Sequence, residues 1–342
     1  MNRVELVCPA GALPALKAAV DNGADAVYLG FRDGTNARNF PGLNFGPREL
    51  ESGFNYAHAR GRRVYVAINT YPLPAQWRHW CHAVDRAVDL GADALILADT
   101  GLLDYTAERH PQQRLHLSVQ GSATSHEAID FYARHFGVRR AVLPRVLALP
   151  QVELLLRRTG VEIEVFGFGS LCVMVEGRCA LSSFVTGESP NSGGVCSPAR
   201  AVRWEEAGER RRWRLNGVLI DEYGADEAAG YPTLCKGRFA PGAALADGGA
   251  RGAYYALEEP TSLNVLEILP RLVSAGVTAI KVEGRQRGPA YVAKVTRVLR
   301  AALDACVVDC GRYTARAAWM EVLNGLSEGN CHTLGAYHRP WQ

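Results

Sequence analysis

Four cysteines, Cys172, Cys179, Cys196 and Cys235, are spaced C-x6-C-x16-C-x38-C and sit among small or turn-forming residues: SLCVM, GRCAL, GVCSP and TLCKG. Loop thiols in a reducing compartment are metal ligands by type, for zinc or for an iron–sulfur cluster. The sequence lacks the tight CxxC knuckle common in structural zinc sites. Wide, irregular spacing suits a cubane, whose corners are separate enough to be reached from different loops; zinc and four inert thiols remain the alternatives. Arg178, Arg200, Lys236 and Arg238 lie near these cysteines, and would offset the net charge of about minus two that four thiolates leave on a four-iron cubane. Gly177, Gly193 and Gly194 would let backbone N–H groups approach sulfur. The other five cysteines, Cys8, Cys81, Cys306, Cys310 and Cys331, read as structural or incidental.

The elements that must position such a site follow from periodicity. The chain has 342 residues, 48% of them hydrophobic and 21% charged, an ordinary globular balance. A chain of this size buries roughly 75% of its unfolded surface, so folding does not require disulfides, and nine cysteines is an odd count for pairing. Similar phrases recur: NGADAVYLG, LGADALILA, FGVRRAVLP and AGVTAIKVEG. In each, a glycine suited to a helix C-terminus precedes a β-rich apolar run. Collecting such runs places strands at 4–7, 26–30, 64–69, 94–98, 115–119, 140–143, 162–166 and 278–282. Amphipathic stretches such as LPALKAAVDNG and HEAIDFYARHFG lie between them. The pattern predicts an α/β fold, a (β/α)8 TIM-like barrel. A doubly wound sheet is the alternative, but PAGALP follows the first strand where a dinucleotide fold would place GxGxxG.

Seven strands follow at near-even spacing up to 162, whereas the eighth starts near 278, so a cysteine-rich insertion is expected after strand seven. The expected divisions are 1–169 for barrel strands one to seven, 170–258 for the insertion, and 259–342 for strand eight, a final helix over 289–310 and a short tail. Barrel active sites lie at the C-terminal ends of the strands, and Cys172 and Cys179 directly follow strand seven, which puts the insertion over the barrel mouth. Polar residues just after the strands are the expected pocket lining: Asn36, Arg38, Asn69, Asp99, Gln120, Arg145, Glu283 and Arg285. Arg38, Arg145 and Arg285 could grip a dicarboxylate bidentately, or form salt bridges to Asp99 or Glu283. Lys281, within strand eight, is placed to neutralise a barrel carboxylate such as Glu164. The run GERRRWRLNG, with Trp204 and Trp213, reads as a solvated hairpin or as a phosphate-contacting and base-stacking surface.

The net charge of +3 gives no global field for wrapping nucleic acid. Glu5 and Pro9 interrupt any signal-peptide core, and the longest apolar run, near 165–175, is too short to span a bilayer. The expectation is a cytoplasmic protein without stable membrane insertion.

The stretch EVFGFGSLCVMVEGRCALS, residues 164–182, resembles the signature E-x-F-x-x-G-S-L-C-x4-G-x-C-x-L-S of the collagenase-like peptidase family of unknown catalytic type. Further similar phrases are TNARNF, GESPN, CSPAR, YPTLCKGR, LEEPTSLN, KVEGRQR and the closing LGAYHR-x-WQ. Length and tail are most similar to the family members that serve anaerobic ubiquinone biosynthesis. The resemblance implies an oxygen-independent hydroxylase subunit with a 4Fe-4S cluster on Cys172, Cys179, Cys196 and Cys235. It also implies a ubiquinone precursor as substrate, prephenate as oxygen donor, a UbiV-like paralogue as heterodimer partner and a UbiT-like lipid carrier. RNA nucleobase hydroxylation is the alternative, and metal-dependent proteolysis a third reading, although the sequence carries neither HExxH nor GxSxG. No catalytic residue follows from either line of argument.

Overall fold

Each apolar run that follows a helix-ending glycine becomes a strand buried on both faces. The computed structural model describes residues 4–39, 41–172, 179–190, 194–240 and 253–339. Gly177, Arg178, Gly193 and the last three residues of the tail motif lie outside the described residues. The first seven strands are β1 (Glu5–Pro9), β2 (Ala26–Leu29), β3 (Arg63–Ile68), β4 (Ala94–Leu97), β5 (Leu115–Leu117), β6 (Val138–Val142) and β7 (Glu162–Ser170). Helices α1 (Leu13–Asp21), α2 (Pro47–His58), α3 (Trp77–Asp89), α4 (Thr100–Arg109), α5 (His126–Phe136) and α6 (Leu149–Arg158) alternate with them.

After β7 come α7 (Ala180–Thr186) and the antiparallel strands β8 (Val202–Ala207), β9 (Arg210–Leu215) and β10 (Val218–Gly224). Then follow β11 (Ser262–Asn264), α8 (Leu269–Ala275), β12 (Ala279–Val282), α9 (Pro289–Val308), α10 (Ala317–Asn324) and β13 (His332–Thr333). β12 pairs in parallel with both β1 and β7, which closes an eight-stranded parallel barrel. The (β/α)8 expectation holds, and all eight strands lie where the apolar runs placed them.

Several details differ from the sequence reading. The Arg/Trp hairpin gains a third strand, β10. The stretch after β7 also holds a helix, α7, where few helix signals were read: Cys179 supplies its N-terminal acceptor, Sγ receiving the Ser182 N–H at 3.3 Å. The last barrel helix stops at Val308, and the short tail contains α10 and β13. β13 pairs with β11, which pairs antiparallel with the outer end of β7. Among the described residues no helix is long and apolar enough to cross a membrane.

Two cores result. The larger lies between strands and helices and holds Leu6, Leu16, Leu29, Ile68, Leu95, Leu97 and their neighbours. The barrel interior is narrower, with Val7, Ala26, Tyr28, Tyr65, Ala67, Ala94, Ile96 and Ala279. Beside it the interior is ionic. Lys281 meets Glu164 at 2.6 Å, and Arg140 bridges Glu5 at 2.6 Å and Glu164 at 3.3 Å. The Tyr65 hydroxyl donates to Glu5 at 2.5 Å.

Breaking a buried pair costs more than replacing it, because the partner left behind stays charged and dry. Glu164→Leu, which leaves Lys281 buried without its carboxylate, should destabilise the protein by about 3–5 kcal/mol. Adding Lys281→Met should recover part of that loss in urea unfolding. His116 adds a pH dependence. Its Nε2 accepts from Arg114 Nε at 3.1 Å, so the ring is neutral. Burial, and then the charges of Arg140, Arg114, Lys281 and Arg63, hold its pKa well below the ordinary 6.5. The unfolded chain takes up a proton there that the folded barrel refuses, so stability is lost as pH falls below that value. The slope is about 1.4 kcal/mol per pH unit, and His116→Gln should flatten it in urea midpoints measured from about pH 7 to about pH 5.

Candidate functional site

β7 delivers the first cysteine to the barrel mouth, and two glycines let the loops there press together. Gly169 has φ +127°, and a Cβ on it would stand 2.6 Å from Glu283 Cβ and 2.9 Å from Glu283 O. Without a side chain, β7 packs against the segment leaving β12, and the Ser170 N–H reaches Glu283 Oε2 at 3.4 Å. Gly194 has φ +78°, and its Cβ would lie 2.4 Å from the Asn39 backbone. The loop carrying Cys196 therefore lies directly on the loop that follows β2. The Ser182 hydroxyl donates to the Cys196 carbonyl, tying α7 and Cys179 to the same place. Cys235 Sγ lies 3.4 Å from the Thr233 hydroxyl, and its carbonyl accepts the Glu258 N–H at 3.1 Å.

Three abutting cavities occupy the mouth and share Arg38 and Arg145. The largest, about 190 Å³, is lined by Cys172, Cys196 and Cys235 together with Ser170, Tyr231, Lys236, Glu283, Arg287 and Glu328. A second, about 70 Å³, has Cys172, Cys179 and Cys196 on its wall. The four cysteines thus stand around two joined spaces, all as thiols. Among the described residues no three His, Cys, Asp or Glu side chains approach as closely as the ligands of a single metal ion. The Cys196 thiol is pushed up to about 12 by burial; Arg38 opposes this, while Cys172, Cys235 and Cys179 reinforce it. The Cys235 thiol is also raised, first by burial.

The third cavity, about 80 Å³, descends into the barrel and gathers Arg38, Asn69, Gln120, Arg145, Glu283 and Arg285, with Tyr28, Ser118 and Lys281. Asn69 is engaged at both ends of its amide, accepting from the Ala37 N–H and donating to Ser118 Oγ, each at 3.1 Å. Asn36 lines none of the three cavities. It is fully buried, and its Oδ1 accepts Arg285 Nη1 at 3.0 Å, so it holds the guanidinium from behind. Arg285 is 5% exposed, and burial lowers its pKa to about 10. Arg145 lies 4.2 Å over the Phe166 ring, and its buried Nη1 has no hydrogen-bond partner; neither has Gln120 Oε1. Asp99 does not pair with these arginines, as one reading had it: its Oδ1 caps α4 through the Leu102 N–H at 3.0 Å. Lys281 does neutralise Glu164.

Sequence reading missed Tyr231 and Glu328 at the mouth. Neither directly follows a barrel strand, and only the fold brings them to the wall. Much of the Arg/Trp hairpin's charge is paired, although Arg203, Arg211 and Trp204 are exposed. Arg210 and Arg212 pair with Glu222, Arg214 pairs with Glu205 at 3.0 Å, and Trp213 is buried.

The profile of peptidase family U32 matches residues 11–340. A tRNA hydroxylation protein P of Escherichia coli (strain K12) is 32% identical over 317 residues, covering 89% of this chain and 68% of that protein. A 23S rRNA 5-hydroxycytidine C2501 synthase of the same organism is 28% identical over 310 residues, covering 91% of this chain and 41% of that protein. A solved structure described as that of the U32 peptidase Mk0906 overlaps 49% of this chain and 70% of its own, at TM-score 0.43 and 16% identity.

Three guanidinium groups, Arg285 buried and Arg38 and Arg145 half-buried, face a single carboxylate, Glu283, and this cationic excess favours a small dianion, which would restore hydrogen bonds that burial has removed. Malonate, as a probe, should raise the thermal midpoint, by about 2.7 kcal/mol of stabilisation at a hundredfold excess over its Kd. Arg145→Met, which keeps an apolar stem over Phe166, should abolish that shift while moving the unliganded midpoint little.

Proposed function

The chain belongs to peptidase family U32, and from that premise we propose that it is a UbiU-like iron–sulfur subunit of an oxygen-independent hydroxylase in anaerobic ubiquinone biosynthesis. The observation that carries the reading is the meeting of four loop cysteines and three arginines around joined cavities at the barrel mouth. The names of the hydroxylating relatives support the reaction class.

The donor set fits a four-iron cluster. A tetrahedral zinc with Zn–S bonds of about 2.3 Å draws its sulfurs within about 4 Å of one another, and among the described residues no three such side chains form a single-ion ligand set. Cys172, Cys179, Cys196 and Cys235 would hold the 4Fe-4S cluster, with Arg38 and Lys236 offsetting its charge. Such a cluster supplies one-electron chemistry when bound. Arg38, Arg145 and Arg285 bind and orient the carboxylates of the oxygen donor, prephenate in this reading, and Gln120 accepts a hydrogen bond from it. Asn36 and Asn69 fix the loops that carry these groups. The barrel walls keep water from the ring of the ubiquinone precursor. A UbiV-like paralogue completes the heterodimer, and a UbiT-like carrier presents the lipid.

Proteolysis has less to work with. Among the described residues no histidine lines the cavities, and the Ser170 hydroxyl donates to the Glu328 carboxylate. RNA as substrate is a second reading, favoured by the tRNA and 23S rRNA named for the relatives. Against it, the acids that pair with Arg210, Arg212 and Arg214 reduce the cationic face that phosphate contacts need.

Protein purified without oxygen should be brown and contain about four irons. Changing any one of the four cysteines to Ala should remove the iron while the barrel still unfolds cooperatively. In a deletion strain grown without oxygen, ubiquinone should disappear, return with the wild-type gene and stay absent with each cysteine variant. Normal quinone together with hypomodified RNA would transfer the proposal to the second reading.

A further inference from the structure

Glu328 lies between α10 and β13, far along the chain from every cysteine of the mouth, yet its carboxylate reaches the roots of two of their loops. Its backbone is fixed: the N–H donates to Ser262 Oγ at 2.9 Å, and the carbonyl accepts the Cys331 N–H at 3.1 Å. The side chain is buried against the largest cavity. Oε1 accepts the Ser170 hydroxyl and stands 3.7 Å from Arg287 Nη2, while Oε2 takes the ammonium of Lys236. Ser170 ends β7 two residues before Cys172, and Lys236 directly follows Cys235.

We infer that Glu328 is a positioning residue whose two carboxylate oxygens tie Ser170 to Lys236 and so set the separation of Cys172 and Cys235 on the cavity wall. The inference rests on the reading of these cysteines as cluster ligands. Glutamate suits the task on two counts. Its carboxylate offers two acceptors facing different loops, and its charge compensates Lys236, which is only 4% exposed. A buried ammonium without a carboxylate is strongly disfavoured and withdraws toward water, taking the Cys235 loop with it. Glutamine keeps the size but can accept through only one of its two terminal atoms.

The test compares full-length wild type, Glu328→Gln and Glu328→Ala. In the metal-free proteins, a short thiol-specific bifunctional reagent reads the Cys172–Cys235 separation as cross-link yield, mapped by peptide mass. In proteins reconstituted with iron and sulfide, the rate of iron loss to a chelator and the electron paramagnetic resonance of the reduced state are recorded. Both variants should cross-link differently from wild type, lose iron about 10- to 100-fold faster and change the spectrum. A residue that only stabilised the tail would lower the thermal midpoint and leave these readouts alone. Unchanged cross-linking, iron loss and spectrum would overturn the inference. Should Glu328→Ala fail to fold, the isosteric Glu328→Gln decides on the same readouts. Wild type that takes up no cluster sinks the cofactor reading instead, and the cross-link yield still decides whether Glu328 spaces the two cysteines.

Discussion

Glu164 and Lys281 meet at 2.6 Å across the seam where β7 joins β12, with Glu164 fully buried and Lys281 nearly so. A parallel barrel must close somewhere, and closure needs a register. Here two full charges, dry and opposed, impose one, because a slip along the strands would leave each without a partner in a medium that cannot solvate it. Arg140 extends the constraint to Glu5 on β1 and to Glu162 at the start of β7. The mouth depends on that seam. β7 runs from Glu164 to the threshold of Cys172, and β12 from Lys281 to the threshold of Glu283 and Arg285.

Above the seam the charges are no longer matched in pairs. Lys236 has Glu328, whereas Arg38, Arg145 and Arg285 share one nearby carboxylate, Glu283, and Arg285 rests on an amide. Within the barrel every charge needed for closure is satisfied, and at the mouth a cationic excess is held open by the fold. Such an imbalance is costly to maintain, and it falls where a substrate would meet the site in a barrel. The cysteine loops add a second demand of the same kind, since thiols raised by burial and by one another become ligands only when a cation replaces their protons.

The hairpin shows the opposite outcome. GERRRWRLNG is strongly basic as a string, but antiparallel pairing sets β9 between β8 and β10, whose acids meet its arginines. Charge that is dense along the chain is mostly paired across the sheet, Arg210, Arg212 and Arg214 each meeting an acid and Arg211 a backbone carbonyl. Periodicity of apolar residues survives folding because it creates the element. A charge run carries no such guarantee, because its partners come from other strands.

Much of the fold was legible in one dimension. Strand runs of the AVYL and ALIL kind, each following a helix-ending glycine, report burial on both faces and a helix before each strand, and those are local consequences of sequence. The polar positions just after the strands were legible for the same reason: six of the eight proposed as lining face the barrel cavity, and Asp99 caps α4 instead. Asn36 stands one layer behind, because its amide is consumed by Arg285 and the Phe31 carbonyl. Cysteine type and spacing singled out four loop thiols from sequence alone, and these four line the joined cavities of the mouth. Tertiary structure alone decided which loops press together, that Asp99 caps a helix, and that Glu328 reaches Ser170 and Lys236. Those contacts join residues far apart in the chain, and nothing in the local preference of either partner encodes the distance that folding brings to zero.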